Sequence, residues 1–427
     1  MKELSVTYPL VMKHLTTMGL GIHLRAKIAA PIQLSTIQDH LTRHSSGLFK
    51  DFLSFSGNEN SLHVTVHPCE ETVAFELVDN NLICSARTNS VGPGYHAYLV
   101  ELVEKLGTVL GIEWNWNFQD DEEHYSDETD YYNHRNFKQL QFEMLKWLRA
   151  LANSLIVESN SEQFMLTMPL GYPRMKRSFF AASPMRIWTR ELFKKIAESE
   201  IEDLEWAAQE FFIWWNRKDD EQFYKKTGIA LLNVECPWHY PTDDLEKKVL
   251  YIIDNTFERS KQLNPQLDLP LKDWDTVKKF LNEEETDIPD TEFGYKKHLM
   301  TFDLPGKWMI DLPGNIYHTV DDSSEVYYDH ERTVRCICYT RNDDKSDAEY
   351  ADGFFSNKND YEVEYLASAT NIAGNAVLYY SIDKETQQEY WILQGVKVKG
   401  GKFAFSTISY PSEEHKKWAI DAWNSIR

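Results

Sequence analysis

The sequence of 427 residues predicts an α+β protein: an N-terminal antiparallel sheet with helices, a helical middle domain, and a C-terminal antiparallel sheet covered by a final helix. Three patterns predict it. Leu62, Val64 and Val66 alternate with His63, Thr65 and His67, which is the period of a half-buried strand. From about residue 185 to 281, apolar residues recur at helical spacing. Beyond residue 300, strand-like runs follow one another until Trp418, Ala419, Ala422, Trp423 and Ile426 mark one face of a terminal helix.

In chain order, a strand over 21–30 precedes a short helix over 34–44. Strands over 62–67, 72–78 and 82–87 then make a meander with one wet face, turned at Asp79-Asn80-Asn81. Leu99, Val103, Leu106 and Leu110 form a helical stripe, and 112–116 reads as a strand. The acid-rich segment 119–132 reads as a solvated loop, and Phe137, Leu140, Met144, Trp147 and Leu151 open a long helix. Helices are expected over 187–197, 203–217, 221–234, 243–262 and 273–281, with Asp243 and Glu246 as a capping box. Strands are expected over 308–312, 326–328, 333–340, 361–367, 373–382 and 389–398. Gly400-Gly401 turns the chain into another over 402–409, and Ser412 is expected to cap the last helix.

A chain of this length exceeds one hydrophobic core. Composition shifts divide it into an α+β domain over 1–160, a helical domain over 161–285 and a β-rich domain over 286–427, with an acidic, proline-containing linker at 282–291. Acidic residues number 67 against 45 basic, a net charge of −22, which repels phosphate backbones and anionic headgroups. Nucleic acid and membrane are therefore not expected partners, whereas a basic protein would be steered to such a surface. Residues 1–14 are not expected to act as a secretory signal, having neither an uninterrupted apolar run nor a small-residue cleavage site. Five cysteines (Cys69, Cys84, Cys236, Cys336, Cys338) show no framework spacing, and reduced thiols in the cytoplasm are the expectation.

The segment Leu304-Pro-Gly-Lys-Trp-Met-Ile-Asp-Leu-Pro-Gly-Asn315, together with Ile408-Ser-Tyr-Pro-Ser and the helix ending Trp423-Asn-Ser-Ile426, resembles the PsbP-like fold. The resemblance spans the last third of the chain. It implies a curved antiparallel sheet sandwiched by helices, in a family whose members mostly act as binding or accessory subunits, including adaptors in bacterial secretion clusters. Many members carry a signal or lipobox, and none is read here. Residues 228–270, with Cys236-Pro-Trp-His-Tyr-Pro241, are similar to helical segments of uncharacterised bacterial proteins, which implies no activity. Neither resemblance brings a catalytic residue.

Motifs for dinucleotide, P-loop, zinc-protease, nucleophile-elbow and paired-cysteine chemistry are missing. The most suggestive loop is Ser90-Val-Gly-Pro-Gly-Tyr-His96, where Gly92 and Gly94 let backbone approach a ligand and the following helix N-terminus favours an anion beside Tyr95 or His96. The plain alternative is a strand-to-helix turn. A second candidate is the basic run of Arg174, Lys176 and Arg177, followed by Arg186 and Arg190, against which stands pairing with Glu191 and Glu198. His63 and His67 read as solvent-facing, and Cys336 and Cys338 as core thiols. The runs Phe211–Trp215 and Trp238–Tyr240 read as core or as an aromatic groove. No cofactor or metal is expected.

The leading functional expectation is a cytosolic bacterial interaction protein, an adaptor, chaperone or immunity-type partner meeting another protein through its acidic surface. The alternative is an enzyme or small-ligand sensor with its site at Ser90–His96. Assembly through the C-terminal sheet edge is the third.

Overall fold

In a computed structural model the described residues are 19–28, 32–45, 48–119, 124–158, 166–167, 174–175, 181–284, 286–341, 345–354, 364–368, 372–382 and 387–427. The protein is α+β, with antiparallel sheets towards both ends, helices between them and a helix at the C-terminus. The described residues fall into two compact units. The first holds 19–167, 181–236 and Asp243–Phe293; the second holds Arg174–Met175, Pro237–Thr242 and Gly294–Arg427.

In the first unit, β1 (Gly21–Lys27) and α1 (Leu34–His44) precede β2 (Ser54–Asn58), β3 (Ser61–Thr65), β4 (Val73–Val78) and β5 (Asn81–Arg87). The last four strands form a meander, and β5 then pairs antiparallel with β1. Burial alternates along β3 and β5, so the wet and dry faces are those that the period-two pattern predicts. Next come α2 (Pro93–Leu110), β6 (Trp114–Asn115), β7 (Asn117–Gln119) and β8 (His124–Asp127), and β8 extends the sheet from the other side of β1. Part of the acid-rich segment is therefore strand rather than solvated loop, and Ser126, Asp127 and Thr129 are buried.

The longer helices that follow in the first unit are α3 (Phe137–Glu158), α4 (Arg190–Glu198), α5 (Glu205–Phe211), α6 (Glu221–Val234), α7 (Asp244–Leu263) and α8 (Leu271–Leu281). Side-chain caps set several starts. Thr189 accepts from the Leu192 N–H, Asp220 from Gln222 and Phe223, and Asp243 from Glu246. Two expected helices differ. The one over 187–197 begins only at Arg190, because Ile187–Trp188 pairs as a short strand with Ala181–Ala182. The one over 203–217 stops at Phe211, because the Trp214 backbone bonds in both directions to the Val91–Gly94 segment. Residues 211–215 are nonetheless all buried, as a run apolar at every position requires.

In the second unit, β9 (Leu299–Leu304) and β10 (Trp308–Pro313) form a hairpin. They are followed by β11 (Tyr317–Asp321), β12 (Ser324–Tyr328), β13 (Thr333–Thr340), α9 (Asp347–Gly353), β14 (Glu364–Ala367), β15 (Ala373–Ile382), β16 (Glu389–Lys399), β17 (Lys402–Tyr410) and α10 (Lys416–Ser425). Seven strands make one antiparallel sheet in the order β11-β12-β13-β17-β16-β15-β14. One face packs on α10 and β10 through Cys336, Leu393, Ile408 and Trp423, while α9 packs Ala351 against Val377, Val396 and Phe403 on the other. Cys336 is a core thiol as expected, and Cys338 is half-buried. Ser412 does not cap α10 as expected; its hydroxyl bonds the His415 ring, and a 3₁₀ turn precedes the helix. Among the described residues no helix is long and apolar enough to cross a membrane.

Candidate functional site

Thr88 follows β5 directly, and the chain turns through Ser90, Val91 and Gly92 into α2. Gly92 has φ of 112°, a conformation open to glycine, and a Cβ there would lie 2.9 Å from the Phe212 side chain. At Gly94 a Cβ would come within 2.2 Å of the Trp214 ring. What the glycines admit is this protein's own 211–215 segment. The Gly94 N–H donates to the Trp214 carbonyl at 3.0 Å, and the Trp214 N–H donates to Val91 at 2.8 Å.

An anion does bind the backbone of this turn, and it belongs to the chain. The Glu70 carboxylate accepts from the Ser90 N–H at 2.8 Å and from Val91 at 3.1 Å. Burial pushes the Glu70 carboxyl up to about 7, against the opposing effect of those N–H bonds. Tyr95 is fully buried.

His96 is fully buried at the centre of a chain of polar groups. Its Nδ1 lies 2.9 Å from the Thr88 hydroxyl, and its Nε2 lies 2.9 Å from both Asp127 Oδ1 and the Thr129 hydroxyl. Asp127 also accepts from the Tyr132 N–H at 2.7 Å and from the Thr129 hydroxyl at 2.8 Å. Burial alone would raise the Asp127 carboxyl; the His96 bond and charge, with the Tyr132 and Thr129 donors, outweigh it and hold the group at about 2. Facing an ionised carboxylate, Nε2 must be a donor. The Thr88 hydroxyl is also 3.0 Å from the Leu20 carbonyl. With its proton on Leu20, Nδ1 donates and the ring is an imidazolium; with its proton on Nδ1, the ring is neutral.

A hydroxyl, an imidazole and a carboxylate in line are the components of nucleophilic catalysis. Here Thr88 and His96 have no exposed surface, and Asp127 and Thr129 have 6% and 3%. The line therefore ties β5, α2 and β8 together, and no substrate atom reaches it as it stands. Asp127 and Thr129 are the residues sequence reasoning passed over, one acid in a run of acids having no local mark of pairing with a histidine 31 residues away.

His67 differs from expectation in the same way. It lies past the end of β3, fully buried, against Phe52 and Phe223, with its Nδ1 accepting from the Cys69 N–H at 3.2 Å. Burial lowers it to about 3, so it is a neutral ring in the core.

Of the basic candidates, Arg174 lies in a two-residue strand paired with β9, while Lys176 and Arg177 lie outside the described residues. Arg186 pairs with Glu210 rather than with Glu191 or Glu198, and its guanidinium sits 5.3 Å from the Trp188 ring centre. In the second unit, Trp238 is fully buried beneath the Lys297 ammonium, 3.7 Å from its ring centre, so it lines no open groove. Among the described residues no group of three or more His, Cys, Asp or Glu is placed to hold a metal ion.

No protein-family model matches the chain, and no curated protein matches it. Among solved structures, one from Bacteroides thetaiotaomicron aligns at 15% identity with a TM-score of 0.26, over 30% of this chain and 47% of that one. The alignment spans less than half of that protein, and a likeness at this level carries no argument about fold or activity.

Proposed function

We propose that this is a cytosolic protein-interaction module, an adaptor, chaperone or immunity-type protein, whose first unit receives a basic protein partner. The observation that carries the reading is how charge divides between the units. Sequence stretches 1–172, 178–236 and 243–293 hold 46 acidic and 27 basic residues, a net −19, while the remaining stretches hold 21 and 18, a net −3. Exposed acids cluster between α4 and α5, with Glu198 at the end of α4 and Glu200, Glu202 and Asp203 in the connection that follows. Such a field speeds the encounter with a cationic surface and repels nucleic acid.

Two further points support this reading. The resemblance of the C-terminal region to the PsbP-like fold points to a binding or accessory role. Five unbridged cysteines, four of them buried, suit a reducing compartment.

The test is affinity purification of the full chain from its native host at about 50 mM and about 500 mM salt. A basic protein is expected at low salt and its loss at high salt. A partner held equally at both, or a tightly bound small molecule with no protein, contradicts the reading.

A second reading, a ligand sensor or enzyme at Ser90–His96, is favoured by the Thr88–His96–Asp127 line. It requires this line to open. Hydrogen exchange at His96 and Thr88 as slow as in the surrounding core would count against it.

A further inference from the structure

We infer that two copies of this chain pair through the edge strand β11 (Tyr317–Asp321), continuing the seven-stranded sheet of one copy into that of the other about a two-fold axis at Thr319. This goes beyond the proposed function, which concerns the first unit alone.

The edge is open. β11 ends the sheet, and four of its five residues are exposed, Val320 to 61%. Edge strands are ordinarily protected by lysine, proline, a bulge or a covering element. Tyr-His-Thr-Val-Asp has neither lysine nor proline, and its pairing with β12 runs residue for residue without a bulge.

The hairpin fixes which backbone groups face outward. Asp321 pairs with Ser324 across the turn residues Asp322 and Ser323, whose φ values are 47° and 66°. In such a two-residue hairpin the residues flanking the turn exchange both backbone bonds, and bonded pairs then alternate along the strand. Tyr317, Thr319 and Asp321 thus spend their backbone groups on β12, and His318 and Val320 direct theirs to the open edge.

Those two residues are spaced for a second copy of themselves. With two antiparallel β11 strands centred on Thr319, His318 of each copy stands opposite Val320 of the other, and each pair exchanges both bonds. Thr319 meets Thr319 as the close non-bonded pair, a favourable cross-strand match. Tyr317 then faces Asp321, so no like charges are opposed. A centre at His318 or at Val320 would instead send an outward group past the end of the strand.

Charge argues for a second copy as the occupant. A net charge of −22 would oppose self-association if spread evenly, but the unit that carries β11 holds only −3 of it. The contact is small, so the dimer is expected to form at tens of micromolar or above rather than as an obligate assembly.

The test is sedimentation of the full chain from roughly 10 to roughly 500 µM, at low and high salt. The expected result is a concentration-dependent dimer little affected by salt, which separates it from the salt-sensitive capture of a basic partner. Val320→Pro removes an outward N–H that β12 does not use, and is expected to leave a monomer. Val320→Lys does the same by charge and decides the matter if the proline variant fails to fold. Thr319→Cys is expected to give a disulfide-linked dimer under mild oxidation that the parent chain does not give, since close non-bonded pairs meet disulfide geometry. A chain monomeric throughout, including one whose β11 instead captures a partner protein, would overturn the inference. So would a dimer untouched by both Val320 variants.

Discussion

Both units bury ionisable groups, and the instructive contrast is between Asp127 in the first and Lys397 in the second. In the first, Asp127 meets His96 and three other donors and is held in its charged form, while Glu70 accepts from two backbone N–H groups and Lys226 donates to Gln209 Oε1 and the Phe212 carbonyl at 3.2 Å each. In the second, Asp311 is paired with Arg427 at 2.8 Å, whereas Lys397 lies fully buried on the α10 face of the sheet, its ammonium meeting the Ser368 hydroxyl and the Trp423 ring, whose centre is 4.3 Å away. Answered polar groups fix the relative positions of distant segments, and removing one member strands the others. A lone ammonium over an indole fixes little and taxes the fold, so removing it should relieve the core.

The sharpest way to break this contrast is Asp127→Asn, which takes the carboxylate from His96 while preserving shape. A loss of about 3–5 kcal/mol is expected in urea unfolding at neutral pH. Because pairing depresses the Asp127 carboxyl to about 2, its contribution is present above the unfolded value of about 4 and disappears as pH falls through 2. The gap between parent and variant should therefore narrow in acid by about 2.5 kcal/mol. A loss under 1 kcal/mol at neutral pH would mean that the line is not structural.

Glu70→Gln comes next, with the opposite pH dependence. A carboxyl raised to about 7 makes the folded state bind its proton more tightly than the unfolded state, so the parent loses stability as pH rises from about 4.5 to 7. The glutamine variant does not titrate, and should gain on the parent across that window by up to about 3 kcal/mol. A constant difference between pH 4 and pH 8 would contradict this.

Lys397→Met is expected to have the smallest effect on stability and to be favourable at neutral pH, by about 1 kcal/mol after allowing for partial solvent screening. Burial lowers the Lys397 ammonium to about 8, so the folded parent sheds its proton earlier than the unfolded chain and gains stability as pH rises from 8 to about 10.5. The advantage of methionine should fade across that range. A clearly destabilised variant at pH 7 would show that Lys397 is answered after all.

The fold was legible where one residue's surroundings are set by its neighbours in sequence. Alternation in β3 and β5, the acidic cap before α7, and the buried stripe of α10 are local statements, and each element forms there. Pairing across long separations left no such trace. Asp127 looked like one more solvated acid, and the Gly92–Gly94 turn looked open to a ligand because the 211–215 segment that fills it lies more than a hundred residues away. His67 continued the alternation of β3, but the strand ends at Thr65 and the next residues turn into the core. β11 was not foreseen because its five residues, mostly exposed, show no alternation to betray a strand.

The central claim is that the chemistry of the first unit is sealed and that its exposed charge does the recognising. Its most direct test is the association rate of the full chain with the partner recovered at low salt, measured from about 50 to about 500 mM salt for the parent and for Glu198→Lys/Glu200→Lys/Glu202→Lys. These exposed sites should leave stability within about 0.5 kcal/mol of the parent. The parent rate is expected to fall tenfold or more over that range, with the variant slower at low salt and flatter throughout. Equal rates and equal salt dependence for the two proteins would contradict the claim.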